Sequence, residues 1–405
     1  MNEWKKVRFL DVVHLNPRIS LEKGVEYPFV EMSNVVPCAR KPEKDVFKKY
    51  LGEGTKFEQG DTIVARIEPC LQNGKGFQCS YKQGFGSTEF LVFRPVNIND
   101  LDCDFLYYYM GQQSIREAMA KTMVGASGRQ RVNNKVFNDL QINLPPLSTQ
   151  HRIASILSRY DSLIENYQKQ IKLLGEAAQR LYKEWFIDLH FPGHENTKIV
   201  DGVPEGWEKK SVDSIYNIKY GKNLSTKLIT ETGFYPVYGA NGVIGYYDKA
   251  NCNEQVVLIT SRGNGSGDVL MTYHKDAFIT NNSFIVTPSE GFEYCKLPFT
   301  FQFLKMANFR AVRTGAAQPQ LTNQSIHTVD VLLPNKNLIE KFCSATIGMN
   351  DTIIKYREQI RLLTEARDRL LPKLMSGELT LEARAEKEDL LATPCKRGWE
   401  EDEAK

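Results

Sequence analysis

The segment "YQKQIKLLGEAAQRL" (residues 167–181) returns about 189 residues later as "YREQIRLLTEARDRL" (residues 356–370). The repeat extends without a gap over Gly128–Leu181 and Ala317–Leu370. Each copy follows a stretch that opens with a Trp and basic residues, so the order is module, helix, module, helix. This duplication predicts a pseudo-two-fold chain that presents two similar surfaces to something long and repetitive.

Both copies carry apolar residues at alternating steps of three and four, which is the a/d pattern of a coiled-coil helix. The first copy has Ile153, Ile156, Tyr160, Leu163, Tyr167, Leu174, Ala177 and Leu181, and the second has Phe342, Met349, Tyr356, Leu363 and Leu370. At 1.5 Å per residue, helices of about 35 residues would be about 50 Å long. We predict that the two helices pair antiparallel.

A second apolar row runs beside each seam, which makes the stripe wider than a two-stranded pair requires. We predict that this row docks partner subunits through Leu157, Ile164, Ile171, Trp185, Ile353 and Ile360.

The pattern predicts an α+β fold with two similar globular α/β domains separated by two long antiparallel coiled-coil helices. The predicted segments are a first domain at 1–147, a helix at 148–186, a linker at 187–206, a second domain at 207–335, a helix at 336–375 and a charged, disordered tail at 376–405.

Composition excludes several classes of protein. The chain has 405 residues and no apolar run near the roughly 20 residues that span a bilayer, so neither a membrane segment nor a signal peptide is expected. Eight scattered cysteines without a CxxC pair argue against a zinc site or disulfide framework and favour the cytoplasm. The tail from 376 carries five basic and nine acidic residues, so residues 1–375 carry about +7, which is compatible with nucleic acid.

Each module contains an apolar strand that ends at an arginine and leads into a glycine-rich turn with Asn-Gly. DNA recognition needs bidentate donors on such loops and cations for phosphates. The candidate residues beside these strand ends are Arg66, Asn73 and Lys75 in the first module and Asn241, Arg262 and Asn264 in the second. Further candidates just before each helix are Arg129 and Arg131, then Arg313 and Gln320.

Together with this repeated order, "VPEGWE" (203–208) and "PVYGANGVIGY" (236–246) make the chain resemble the specificity subunits of type I restriction–modification systems. The resemblance covers residues 1 to about 380 and does not explain the acidic tail. It implies that each module reads one half of a split target in double-stranded DNA. It also implies that the helices act as a ruler and hold two methyltransferase subunits, through which restriction and translocase subunits join. No catalytic residue, metal or cofactor is implied for this chain.

Other interpretations remain open at this point. Arg66 and Arg262 could pair with carboxylates inside their modules, and Asn73 and Asn264 could serve turns that need positive φ. A self-contained DNA methyltransferase or nuclease is disfavoured because no Asn/Asp-Pro-Pro-aromatic motif, glycine-rich cofactor loop or nuclease cluster is found. A coiled-coil scaffold without a DNA role explains the helices but not the two similar modules.

Overall fold

The computed structural model describes residues 4–126, 128–315 and 319–379. The fold is mixed α/β, as predicted, and consists of two compact units. Unit 1 comprises Met1–Glu165 and Ile360–Lys405, and unit 2 comprises Asn166–Gln359. The predicted disordered tail lies outside the described residues from position 380 onward.

The described part of unit 1 has ten strands and four short α-helices before the first long helix. The strands are β1 (Lys5–Arg8), β2 (Val13–Leu15), β3 (Glu26–Val30), β4 (Phe47–Lys49), β5 (Thr55–Glu58), β6 (Thr62–Ala65), β7 (Gly76–Gln78), β8 (Gln83–Gly86), β9 (Phe90–Pro95) and β10 (Gln141–Leu144). The helices are α1 (Phe9–Val12), α2 (Cys103–Gly111), α3 (Gln113–Ala120) and α4 (Val136–Asp139).

The strands of unit 1 form two four-stranded sheets and one pair. The sheets have the orders β2-β9-β6-β7 and β4-β3-β8-β5, while β1 pairs with β10 and so joins the two ends of the module. All four residues of β6 are buried, because the strand has neighbours on both edges and core on both faces. This burial explains why β6 appears in the sequence as a continuous apolar run rather than an alternating one.

The first long helix, α5, spans Leu147–Phe186, within a residue of the expected bounds. Its start is fixed by Gln150, a fully buried side chain that accepts a hydrogen bond from the Asp102 amide and donates to the carbonyl oxygens of Asp100 and Pro145. The helix therefore begins on a polar clamp to the preceding module. Residues of α5 up to Glu165 belong to unit 1, and the rest belong to unit 2.

The described part of unit 2 has eleven strands and three short α-helices. The long helix α9 (Lys336–Ser376) follows, and its residues up to Gln359 belong to unit 2. The strands are β11 (Ile199–Val200), β12 (Val203–Pro204), β13 (Glu208–Ser211), β14 (Tyr216–Tyr220), β15 (Tyr235–Gly239), β16 (Gly242–Tyr247), β17 (Val257–Thr260), β18 (Val269–Met271), β19 (Phe278–Ile279), β20 (Ser283–Pro288) and β21 (Asp330–Leu333). The short helices are α6 (Val212–Ile215), α7 (Leu297–Met306) and α8 (Asn323–His327).

The topology of unit 2 repeats that of unit 1, but the smaller sheet has one strand fewer and β11 and β12 form an additional pair. Its main sheet, β14-β20-β17-β18, corresponds to β2-β9-β6-β7, and β13 pairs with β21 as β1 pairs with β10. In the smaller sheet β15 runs parallel to β19, as β3 runs parallel to β8. The repeat found in the sequence is therefore also a repeat of topology.

Within each unit, half of α5 packs against half of α9. In unit 2, Tyr167 stacks on Tyr356 with ring centroids 4.7 Å apart, and Tyr182 lies 5.8 Å from Phe342. One residue number rises as the other falls, so these half-helices are antiparallel. In unit 1 Asp161 of α5 pairs with Arg367 of α9. The compact units therefore differ from the predicted division into separate domains and helices, because each unit takes one half of each helix.

The predicted docking row is wrong for three of its six residues. Leu157, Ile164 and Ile353 are buried within the chain. A helix that packs on its own module as well as on its partner helix needs a wide apolar stripe. These three residues of the second row are therefore buried in contacts within the chain.

The other three predicted docking residues, Ile171, Trp185 and Ile360, are half-buried. Trp185 packs edge-on against Phe342 at 5.9 Å. The large apolar side chains that remain exposed on the long helices are Leu163, Leu173, Ile347 and Leu362.

Candidate nucleic-acid interface

Beside the end of β6 in unit 1, Val124 and Arg131 form an antiparallel bridge, and Thr314 and Gln320 form the matching bridge in unit 2. We call each of these bridged pairs the covering hairpin of its unit. The amide of Arg66 donates to the carbonyl of Glu89 at 2.9 Å, and the carbonyl of Arg66 accepts from the amide of Val132 at 2.9 Å. Arg131 pairs across the hairpin with Val124 and on its other side with Ile67. These hydrogen bonds bring the backbones of Arg66 and Arg131 together, and Arg129 lies two residues before Arg131 in the chain.

Arg131 is anchored by Glu89, which precedes β9. Its Nε donates to both carboxylate oxygens, at 3.0 and 2.8 Å, and its Nη2 donates to Oε1. These hydrogen bonds lower the pKa of Glu89 below its ordinary value, and the charges of Arg131 and Arg66 add to the effect. Glu89 is therefore ionised at neutral pH and holds one edge of the Arg131 guanidinium.

Arg66 borders a groove of about 520 Å³ on unit 1. Arg18 and Lys56 line the same groove, so three cationic side chains surround it. The Nε of Arg66 is buried and has no hydrogen-bond acceptor among the described residues. A guanidinium with an unmet donor beside an open groove is suited to an anionic or acceptor-rich ligand.

The remaining candidates of unit 1 are placed differently. Asn73 is exposed in the turn before Gly74, and Arg129 is exposed on the covering hairpin. Lys75 instead donates from Nζ to the carbonyl of Met32 at 2.9 Å and lines a separate cavity of about 320 Å³. The structure thus gives Lys75 an internal partner and places it apart from the groove beside Arg66.

Unit 2 has the same backbone arrangement at the end of β17. The amide of Ser261 donates to the carbonyl of Asn282 at 2.8 Å, and the carbonyl of Ser261 accepts from the amide of Leu321 at 2.8 Å. Gln320 pairs with Thr314 across the covering hairpin and with Arg262 on the other side. Arg262 and Gln320, predicted independently, are therefore direct neighbours.

The turn 263–267 and the tip of the β15–β16 hairpin complete this surface of unit 2. Thr260 Oγ1 donates to the carbonyl of Ala240 at 2.7 Å, which ties the tip to the strand end. The Oδ1 of Asn241 lies 3.2 Å from the point that a β-carbon on Gly265 would occupy. Asn241, Arg262 and Asn264 are all exposed here.

Two arginines flank the covering hairpin of unit 2. Arg310 is paired with Asp268, with its Nε 3.2 Å from Oδ1. Arg313 is half-buried, and its Nε and Nη2 have no acceptor among the described residues. Residue 318, a further glutamine before the helix, lies outside the described residues.

The expected equivalence of Arg66 and Arg262 is wrong by one residue. When the two units are aligned by these equivalent backbone hydrogen bonds, Arg66 corresponds to Ser261, and Arg262 corresponds to Ile67. A shift of one residue along an extended strand moves the side chain to the opposite face. Each central strand leads into an arginine and then a glycine-rich turn, but this sequence pattern does not fix the register. The register depends on the neighbouring strand and the covering hairpin.

Sequence reasoning missed the residues that precede β9 and β20. Glu89 and Asn282 occupy the same place in the two units, because the carbonyl of each accepts a hydrogen bond from the amide of the residue that follows the central strand. The similarity of "STEFLV" (87–92) to "NNSFIV" (281–286) indicates that the segment is repeated. It does not indicate that Glu89 is the partner of Arg131. Among the described residues, no group of three or more His, Cys, Asp or Glu side chains is placed to hold a metal ion.

The sequence matches a known family over most of its length. The family is described as the type I restriction modification DNA specificity domain, and it matches residues 1–174 and 204–356. One match thus covers each module and the first part of the long helix that follows it.

Individual relatives agree with this match. The chain is 27% identical over 306 residues to the type I restriction enzyme MjaIX specificity subunit of Methanocaldococcus jannaschii, covering 69% of each sequence. It is 22% identical to the type I restriction enzyme HindI specificity subunit of Haemophilus influenzae, covering 94% of this chain and all of that protein.

The fold also has a solved counterpart. The crystal structure of a type I restriction-modification system S subunit from M. genitalium aligns with a TM-score of 0.50 at 20% identity, covering 92% of this chain and 96% of that one. Within the described part of the chain, no helix combines the length and apolarity needed to cross a membrane.

Proposed function

This chain belongs to the family of type I restriction–modification DNA specificity proteins, and from that membership we propose that it is the DNA-recognition subunit of such a complex. Each unit reads one half of a bipartite target in double-stranded DNA. Methylation and restriction are carried out by partner subunits, since the relatives bear the names of specificity subunits.

The observation that carries this proposal is the duplicated arrangement at the ends of β6 and β17. In both units a hairpin that precedes a long helix covers the end of the central strand and carries polar or cationic side chains. Arginine, asparagine and glutamine are the residues that pair with base edges, and unpaired arginines suit phosphates. Two such surfaces on one chain fit a target with two half-sites.

The unmet donors of Arg66 and Arg313 support the same conclusion. Native proteins rarely leave buried donors without partners. Among the described residues, the Nε of Arg66 and the Nε and Nη2 of Arg313 have no protein acceptor. Phosphate oxygens and base acceptors would satisfy both guanidinium groups. The neighbouring cations Arg18 and Lys56 would add to the attraction of a polyanion in unit 1.

We further propose that α5 and α9 form an antiparallel coiled coil with a pseudo-two-fold axis and set the gap between the half-sites. Tyr167 and Tyr356 hold matched positions of the repeat and stack on each other. Matched residues of a two-fold repeat meet at its axis, so this contact supports the proposed symmetry.

Two methyltransferase subunits would then dock at matched positions on the helices. Leu173 and Leu362 are matched in the repeat, and both stay exposed, at 53% and 44%. They replace the buried residues of the original prediction as candidates for this contact. Restriction and translocase subunits would join through the methyltransferases.

Aspartate at Leu173 or Leu362 tests this docking. Each single variant is expected to lose one methyltransferase copy, and Leu173→Asp/Leu362→Asp both copies, because a buried unpaired carboxylate opposes docking. Light scattering on co-expressed, chromatographed complexes measures the stoichiometry. Leu228→Asp, at an equally exposed site outside the long helices, serves as the control. Full assembly of the double variant would contradict the assignment.

Arg262 provides a test of DNA binding through unit 2. The side chain is exposed, and no carboxylate partner is found for it among the described residues, so we expect a phosphate contact. Arg262→Ala should weaken binding evenly across DNA sequences and reduce the slope of log K against log salt by about 0.9.

Anisotropy titrations at several salt concentrations measure both quantities on the assembled complex. Lys249→Ala removes an exposed charge beyond the far end of β16 and is the matched control. An Arg262→Ala complex with unchanged affinity and salt slope would remove this surface from the DNA interface.

A further inference from the structure

The guanidinium of Arg131 is held by one edge and open at the other. Glu89 accepts from Nε and Nη2, while Nη1 has no partner among the described residues. The side chain remains 51% exposed despite this pairing. Arg131 therefore presents Nη1 and the second hydrogen of Nη2 as a pair of donors fixed in direction.

Such an anchored fork fits a base edge better than a phosphate. Phosphate binding draws on net positive charge and counterion release, and Glu89 cancels the charge of Arg131. Base recognition depends on the direction of the donors, which Glu89 fixes. Guanine offers two acceptors, O6 and N7, at the spacing of a guanidinium edge.

Unit 2 has different side chains at the equivalent backbone positions. Gln320 occupies the place of Arg131, and Asn282 occupies the place of Glu89. The charges of Arg131 and Glu89 cancel, and the amides of Gln320 and Asn282 are neutral. Neither pair therefore adds net charge to its unit. A glutamine amide supplies one donor and one acceptor, which match N7 and the N6 amino group of adenine.

We propose that this hairpin position determines one base pair in each half-site. Arg131, positioned by Glu89, reads a guanine, and Gln320 reads an adenine. The inference rests on the proposed function, namely that the chain recognises a bipartite DNA target. It adds which residue of each unit selects a base and which base is selected.

The experiment uses the complex assembled with its methyltransferase subunits. Methylome sequencing of cells that carry the native complex first defines the target. Competition binding against every single-base variant of that target then gives a base preference at each position. In Arg131→Gln we expect a loss of about 5- to 150-fold in preference for guanine at one base pair of one half-site, with the other half-site unchanged.

Glu89→Gln separates a positioning role from a structural one. Preference at the same base pair should fall, while binding to random DNA should strengthen and its salt slope should steepen, because Arg131 regains an uncompensated charge. A merely structural carboxylate would lower thermal stability without this opposite change in the two binding properties. Lys121→Gln removes an exposed charge near the same hairpin in the sequence and should alter no base preference.

The reciprocal variant is Gln320→Arg with Asn282→Glu. It should change the preferred base at one position of the other half-site from adenine to guanine. Arg131→Lys keeps the charge but loses the fork, so it should behave as Arg131→Gln does, and thermal melts verify that each variant is folded.

An Arg131→Gln complex with the native base profile, or with evenly weakened binding, would overturn the inference. A native complex without any sequence preference would instead overturn the proposed function itself.

Discussion

Asp161→Ala is expected to lower the free energy of unfolding of unit 1 by about 3–5 kcal/mol. The carboxylate is buried in α5 and accepts a hydrogen bond from Arg367 Nη1 at 2.7 Å and another from the hydroxyl of Tyr108 at 2.5 Å. Removing it leaves the hydroxyl of Tyr108 without its acceptor and leaves the buried guanidinium with the exposed Asp368 as its remaining counter-charge. The loss is large because the penalty falls on the partner that remains.

Tyr108 takes part as a neutral donor. Burial and the adjacent Asp161 carboxylate raise the pKa of Tyr108 far above its ordinary value. Burial lowers the pKa of Arg367, but Asp161 and Asp368 raise it more, so the guanidinium stays charged. The network is therefore an ion pair with one neutral hydrogen bond, and it joins α2, α5 and α9 within unit 1.

The repeat supplies a matched control for this prediction. Asn350 holds the place of Asp161 in the second copy, and Ala178 holds the place of Arg367, so unit 2 has no counterpart of the ion pair. Asn350→Ala is expected to cost about 1 kcal/mol. Unfolding in guanidinium chloride, followed by circular dichroism, compares the two variants. Equal losses of unfolding free energy would show that the ion pair has no special role.

Phe342→Ala is expected to destabilise unit 2 by about 3–5 kcal/mol. The ring is fully buried, and its centroid lies 5.8 Å from Tyr182, 5.9 Å from Trp185 and 5.3 Å from Phe186. Truncation leaves a cavity among rigid aromatic rings that cannot collapse into it. The antiparallel packing of the two half-helices in unit 2 depends on this cluster.

Tryptophan fluorescence during denaturation reports on the cluster, because Trp185 contacts the missing ring. Phe342→Leu retains most of the volume and should cost clearly less than the alanine variant. If the alanine and leucine variants unfold at the same denaturant concentration, the aromatic packing does not stabilise unit 2.

The long helices were predictable because their signal is local and redundant. Apolar residues recur with one period over more than four turns, and α5 and α9 accordingly span Leu147–Phe186 and Lys336–Ser376. The partners of that stripe were not predictable. Leu157 and Ile353 have the same pattern whether they face a partner subunit or the chain's own core, and the structure buries both.

The candidate interface was predictable in its composition but not in its register. Arg66 and Arg262 share a sequence context, yet hydrogen bonds to Glu89 and Asn282 place them one residue apart in the common frame. The role of Glu89 depends on contact with Arg131, 42 residues away in the chain. No local pattern encodes a pairing over that separation.

The division of each long helix between two units has a consequence for biosynthesis. Unit 2 is one continuous segment, Asn166–Gln359, whereas unit 1 also needs residues from Ile360 onward. Asp161 precedes Arg367 by 206 residues, so at about 5–20 residues per second the ribosome adds the arginine roughly 10–40 s later. During that interval the nascent N-terminal unit exposes an apolar face and an unneutralised acid to chaperones and proteases. The unit that is translated first is thus completed last.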